Sequence, residues 1–249
     1  MNTQTTHNID IDQLFQVGAH YGFTKSRRHP TVVPYLYGTK DGNDIFDLEK
    51  TAEQIATAAA LIEDYAKQDK SIMYVSTKDE SKHLVRDTAT SLETPFIVNR
   101  WIGGVLTNFY EIKKRIQRLN DLEAEQASGE LDRKYVKKEL VVLGREMDKL
   151  RHNFGGIQQM NRCPDLMVIV DPRHDQIAVE EAKTMGIPVI AIMNSDCDVS
   201  QIDHPIVMND SLRGSVELVL ATLARAQKAG VAAPKPKPST TQQKAATAA

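Results

Sequence analysis

The stretch "DLMVIVDPRHDQIAVEEAKTMGIPVIAIM", Asp165 to Met193, decides the fold. It opens on a compact apolar run, "LMVIV", and closes on a second, "VIAIM", with a helical segment between them. Neither run alternates polar with apolar residues, so neither suits a strand with one face in water. Both read as strands covered on two faces, as in a parallel sheet. In "HDQIAVEEAKTMG" the apolar residues recur at helical spacing, and Gly186 is the residue type best suited to a left-handed C-terminal cap. Strand, helix and strand in about thirty residues make one unit of such a sheet.

The same rhythm extends in both directions. Upstream, "SIMYVST" is a compact run, "DESKHLVRDTATSL" is helical and "PFIV" is another run. Downstream, "PIVM" adds an edge strand, and Asp210 reads as the cap of a final helix from Ser211 to Ala226. The expected fold class is therefore α/β, a Rossmann-like parallel sheet with helices on both faces. Nearer the start, Ile11 to Val17 reads as a short helix. The stretch "PYLYGTKDGNDIFDL" reads as a hairpin, with strands near Val33 to Gly38 and Asp44 to Asp47, turning at Asp41-Gly42. Ile55, Ala58, Leu61, Ile62 and Tyr65 then predict an amphipathic helix over Leu48 to Lys67.

The rhythm is interrupted between Tyr110 and Asn153. Phe109, Ile112, Ile116 and Leu119 step by three and four, and so do Val136, Leu140, Leu143, Met147, Leu150 and Phe154. This spacing predicts an inserted antiparallel coiled-coil hairpin turning at "ASGELD"; the alternative is a helical pair lying flat on the main core. The expected organisation is a platform domain over 1–108 and 154–227, an arm over 109–153, and a disordered basic tail over 228–249. The tail is expected because "KAGVAAPKPKPSTTQQKAATAA" has no acid and almost no large apolar group.

Composition limits the function. With 249 residues, 41% hydrophobic, 26% charged and a net charge of −2, the chain is ordinary for a globular protein and is not basic throughout. Any nucleic-acid surface must be made by sorting charge locally. The two cysteines, Cys163 and Cys197, have no metal-like spacing and suggest a reducing compartment. No apolar run approaches the roughly 18 residues of a membrane span, and no signal peptide is visible, so a cytoplasmic protein without membrane contact is expected.

Parallel sheets bind ligands beyond the carboxyl ends of their strands. There the sequence delivers Ser76, Thr77 and Lys78, then Asn99 and Arg100, then Asp171, then Asn194 and Ser195. None of these is a recognised catalytic constellation, and no phosphate-loop or dinucleotide motif occurs. Ser76, Thr77 and Lys78 could cradle a phosphate, which keeps open an enzyme acting on a sugar phosphate or nucleotide; polar strand ends that merely meet water explain them too. Asp196, Asp198, Asp203 and Asp210 suit loop and cap chemistry better than a cation site, since their spacing fits no calcium loop. In "DPRHD", Asp171 to Asp175, the Asp-Pro pair reads equally well as a turn.

The cations carry a stronger signal. From Gln13 to Lys40 the chain has Lys25, Arg27, Arg28 and Lys40 but no acid, and Tyr21, Phe23, His29 and Tyr35 lie among them. Flexible cations beside flat rings suit phosphate contact and base stacking on RNA. A second pairing is Arg100-Trp101, holding the single Trp, beside Gly103-Gly104. The inserted helices add Lys113, Lys114, Arg115 and Arg118, then Arg133, Lys134, Lys137 and Lys138. A solvated helix face is the bland reading of these last. Together the clusters point to an RNA interface formed by Lys25, Arg27, Arg28, His29, Tyr35, Lys40, Arg100, Trp101, Asn108, Lys113, Lys114 and Arg118.

From Leu14 to Ala226 the chain resembles the bacterial small-subunit ribosomal protein two family. The likeness is carried by "VGAHYGF", "RRHPTVVPYLYG", "FDLEKT", "NRWIGGVLTNF", "KLRHNFGGI", "PDLMVIVDPRHDQIAVEEAKTMGIPVIAI" and the "ND" before the last helix. It implies a structural, non-enzymatic constituent of the small ribosomal subunit with no small-molecule substrate. The implied partners are small-subunit ribosomal RNA and neighbouring ribosomal proteins, including the messenger-binding protein one, in the cytoplasmic ribosome. Relatives read His at Phe23, Asp at Asn194 and Asp at Ser211, groups that approach one another there beside Asp210. With those positions changed, no metal and no cofactor are expected. Relatives also have Trp at His29.

Overall fold

The computed structural model describes residues 9–233. Its centre is a five-stranded sheet of β4 (Ile72–Val75), β5 (Phe96–Ile97), β6 (Leu166–Val170), β7 (Val189–Met193) and β8 (His204–Val207). The order is β5-β4-β6-β7-β8 and every neighbouring pair is parallel. All residues of β6 and β7 are buried. Successive side chains point to opposite faces, so the runs feed two separate apolar layers. Met167, Ile169, Ala191 and Met193 join one layer, whereas Leu166, Val168, Val170, Ile190 and Ile192 join the other.

Three helices cover the second layer: α2 (Leu48–Lys67), α3 (Lys82–Ser91) and α8 (Arg213–Ala232). Asp47 caps α2 by accepting from the Glu49 amide at 3.2 Å. The first layer is covered by α7 (Gln176–Met185), which ends at Gly186 with φ +67°, and by the inserted helices.

The sequence reading of α8 needs two corrections. Asp210 does not cap it: that side chain is buried and turned inward, while Asn209 Oδ1 accepts from the Ser211 and Leu212 amides at 3.0 and 3.3 Å. Nor does the helix stop at Ala226. Ala226, Gln227 and Gly230 remain buried, and a Cβ on Gly230 would lie 2.5 Å from the Glu63 carbonyl oxygen. The helix continues because it still has α2 to pack against, so Lys228 to Ala232 are helical rather than tail. Residues 234–249 of the expected tail lie outside the described residues.

The N-terminal part forms α1 (Ile11–Gln16) and a second, antiparallel sheet ordered β1-β3-β2, from β1 (Tyr21–Thr24), β2 (Leu36–Lys40) and β3 (Asn43–Phe46). Asp41 and Gly42 both take positive φ, 50° and 80°, at the β2–β3 turn, which matches the twist of a two-residue hairpin. The expected strand from Val33 begins only at Leu36. Pro30 to Tyr35 is instead a 3-10 helical turn, because Pro30 and Pro34 have no amide to give to a ladder.

A helical insertion separates β5 from β6: α4 (Phe109–Ala127), the short α5 (Glu130–Lys134) and α6 (Lys137–Phe154). Ile112, Ile116, Leu119 and Leu122 of α4 pack into the first layer with Met147, Leu150 and Phe154 of α6. The start of the second seam is open: Val136 is 67% exposed and Leu140 and Leu143 are half-buried. After α6 the chain lies against the edge of β5. A Cβ on Gly156 would sit 2.2 Å from the Phe96 carbonyl oxygen, so only glycine allows that approach.

Candidate nucleic-acid interface

All five strands of the central sheet end on one edge, which is where the polar residues of the strand ends gather. They satisfy one another. The Ser76 and Ser81 hydroxyls are 2.6 Å apart, and Thr77 donates its amide and hydroxyl to Asp175 at 2.9 and 2.7 Å. Lys78 Nζ lies 3.0 Å from Asp171 and 3.2 Å from Asp210, and the Asn194 amide donates to Asp210 at 2.8 Å. Burial disfavours the charged form of Lys78, but the carboxylates of Asp210 and Asp171 outweigh it and raise its pKa. Burial, with Asp171 beside it, pushes Asp210 up as well. A phosphate here would have to displace two carboxylates from the one lysine. The cradle that kept an enzyme reading open is thus occupied by the protein's own acids.

The other candidate groups are similarly employed. Arg173 pairs with Asp196 at 2.6 Å, Asp203 accepts from the Val189 amide, and Asp198 accepts from Ser200, Gln201 and Thr31. This is the loop chemistry the spacing suggested. At the positions where the family differs, the Phe23 amide donates to the Ser195 hydroxyl and the Ser211 hydroxyl to Asp210. Among the described residues no three His, Cys, Asp or Glu side chains gather as metal ligands. Cys163 and Cys197 are both free thiols.

The acid-free segment docks on the same edge, with the His29 amide donating to the Ser195 carbonyl at 2.7 Å. Its cations meet acids supplied from elsewhere. The Arg27 guanidinium lies 4.3 Å over the Phe23 ring and 3.5 Å from Asp196. Arg28 is 3.6 Å from Asp44, and His29 is 2.8 Å from the Thr31 hydroxyl and 3.8 Å from Asp198. An absence of acids along the chain is therefore not an absence in space. Lys25 and Lys40 differ: both are exposed and have no ion-pair partner among the described residues. Tyr35 is half-buried against the core, whereas Tyr37, which the sequence reading passed over, is 82% exposed on β2. Alternation in "LYGTK" would have found it.

The loop after β5 emerges from the same edge. Arg100 is exposed without an ion-pair partner among the described residues, and Asn108 is exposed at the start of α4 with no side-chain capping bond. Trp101 corrects the sequence reading. It is 7% exposed, its indole N–H donates to Glu181 Oε1 at 3.0 Å, and it offers no ring face for stacking. The same carboxylate accepts the Gly104 amide at 2.7 Å, the Leu106 amide at 3.0 Å, and the amide and hydroxyl of Thr107 at 3.2 Å each. Burial would raise the Glu181 pKa, but these donors overcome it and hold the group below its ordinary range. Glu181 went unnoticed in the sequence, although it falls beside Ala178 and Ala182 on the apolar stripe of α7, where a charge requires a reason.

On α4, Lys113, Lys114 and Arg118 are all exposed. Lys114 pairs with Glu111 at 2.7 Å over the exposed Tyr110 ring, and Arg118 lies 3.5 Å from Glu146. Lys113 has no ion-pair partner among the described residues. Exposed pairs of this kind contribute little to stability and exchange readily for another anion.

The family model described as Ribosomal protein S2 matches residues 14–230. The chain is 37% identical over 216 residues to "Small ribosomal subunit protein uS2c" of Rhodomonas salina, covering 87% of this chain and 88% of that one. It is 36% identical over 217 residues to "Small ribosomal subunit protein uS2" of Chlorobium chlorochromatii, covering 87% and 86%. It is 36% identical over 222 residues to the protein of that name from Picosynechococcus, covering 89% and 86%.

Proposed function

Since the chain belongs to the ribosomal protein S2 family, whose members are structural proteins of the small ribosomal subunit and not enzymes, we propose that it is held there by direct contact with small-subunit ribosomal RNA. The observation that carries this reading is the division of labour on the carboxyl edge of the sheet. Lys78 is spent on Asp171 and Asp210, while Lys25, Lys40 and Arg100 stand exposed and unpaired among the described residues on segments leaving that edge. Arg27, Asn108, Lys113, Lys114 and Arg118 extend the contact. Arg28 and His29 serve mainly to hold the segment against Asp44 and Asp198. Residues 109–153 act as a coiled-coil arm on the platform formed by 9–108 and 154–233, and the exposed start of α6 supports a stand-off from the core.

Docking of the messenger-binding ribosomal protein one is the second part of the proposal. It is supported by an apolar patch where α1, β1 and the start of α8 meet. Phe15 stacks on His20 with ring centroids 4.5 Å apart, His20 lies against Tyr21, and Ile11, Phe15, Tyr21 and Leu212 are all exposed.

Charge reversal tests the RNA contact. The triple change Lys25→Glu, Lys40→Glu, Arg100→Glu touches no internal ion pair and should leave the circular dichroism spectrum intact. On sucrose gradients of cell extracts the wild-type chain should sediment with small subunits and the triple variant should remain at the top. A variant sedimenting at normal occupancy would remove these residues from the interface.

A further inference from the structure

We infer that Glu181 is a positioning residue for RNA binding: its carboxylate gathers the Trp101 indole and the amides of Gly104, Leu106 and Thr107, and so fixes the loop that presents Arg100 and Asn108. The inference rests on the RNA reading above and names the part of the interface that holds it in shape.

Five donors from four residues converge on this one side chain. Oε1 takes the Trp101 indole and the Gly104 amide, and Oε2 takes the Leu106 amide and both donors of Thr107. That satisfies roughly the four lone-pair directions a carboxylate has, with one shared. Glu181 is 7% exposed, and among the described residues no lysine or arginine pairs with it. Its charge is balanced by backbone and side-chain dipoles alone, so those dipoles must stay aimed at it. A charge of this kind is costly to bury. Mere packing between α7 and the loop would be served as well by an apolar side chain.

The loop needs an anchor. It has no regular structure between β5 and α4, and Gly104 takes φ +95°, a conformation few residues adopt. Left free, it would have to be ordered at the moment of binding, and each immobilised segment subtracts from affinity. Anchored at Glu181, it holds Arg100 on one side and Asn108 on the other in fixed relation before the RNA arrives. Glu181 itself faces inward and touches no partner.

The test uses the full-length chain, a transcript of small-subunit ribosomal RNA, and Trp101, the only tryptophan, as a reporter. Glu181→Gln keeps the shape but leaves one strong acceptor oxygen and adds two unwanted donors. In the RNA-free variant the Trp101 emission should shift to the red. Its dissociation constant for the transcript should rise about tenfold, about 1.4 kcal/mol. The slope of affinity against salt should stay unchanged, because no phosphate contact has been deleted. Arg100→Ala should instead lower that slope by about one. Should Glu181→Gln not fold, Thr107→Val removes one donor without touching the charge and should raise the constant about threefold.

An unshifted emission, or a released loop with unchanged affinity, overturns the inference. Failure of the wild-type chain to bind the transcript at any salt concentration sinks the RNA reading and this inference with it. Normal wild-type binding with an indifferent Glu181→Gln sinks the inference alone.

Discussion

The Arg28 guanidinium lies 3.6 Å from the carboxylate of Asp44, a side chain with no exposure to solvent, whereas its neighbour Arg27 is 55% exposed and shares Asp196 with Arg173. Two adjacent arginines thus have opposite duties. Removing Arg28 leaves a buried charge uncompensated, so Arg28→Ala should destabilise the fold by about 3 kcal/mol. Arg27→Ala should cost less than about 1 kcal/mol. Urea unfolding of both variants measures the difference; equal values would mean that the Asp44 pair is not structural.

The carboxylate cluster at the sheet edge gives a second expectation. Lys78→Met deprives Asp171 and Asp210 of their shared cation and should lower stability by about 3 kcal/mol. For the same reason no nucleotide or sugar phosphate should raise the melting temperature of the wild-type protein. A bound ligand at 100 times its dissociation constant would add about 2.7 kcal/mol and be plain in a thermal-shift scan.

Acid should act on the loop through Glu181. Its folded pKa is held below the ordinary glutamate range by the donors of residues 101–107, and in the unfolded chain it returns to about 4.3. A depressed carboxyl contributes stability that is complete above the unfolded value and is lost as pH falls through the folded one. Trp101 emission should therefore be flat through neutral pH and shift to the red only below about pH 4. A shift centred near pH 6 would contradict the assignment.

The seat of the edge strand can be probed at Gly156. A methyl group there meets the Phe96 carbonyl oxygen at 2.2 Å and the Phe96 ring at 2.7 and 2.8 Å, and the carbonyl belongs to backbone that cannot swing aside. Gly156→Ala should cost about 2 kcal/mol by overpacking. Differential scanning calorimetry would detect it, and a neutral result would show that the segment after α6 moves freely off β5.

What the sequence disclosed, and what it withheld, follows from the range of the forces involved. The runs "LMVIV" and "VIAIM" carry their burial in their own composition, and Gly186 marks the helix end between them, so β6, α7 and β7 are legible locally. The partners of the cationic segment are not: Phe23 meets Ser195 across 172 positions, and Thr31 meets Asp198 across 167. No periodicity reports such pairings, which is why an acid-free stretch looked free of acids. Trp101 misled for the same reason. Its ring and the carboxylate that receives its N–H are 80 positions apart, and an arginine beside a tryptophan reads as a surface pair until the fold turns one of them inward.

The long α8 has a practical corollary. It starts beyond the carboxyl end of β8 and runs back until Gly230 locks against Glu63 and Ala66, close to where α2 hands the chain on to the beginning of β4. Ala233 therefore lies at the pole opposite Lys25 and Arg100. A fluorophore attached through Ala229→Cys, on the exposed side of the last turns of α8, would leave the cationic pole unobstructed.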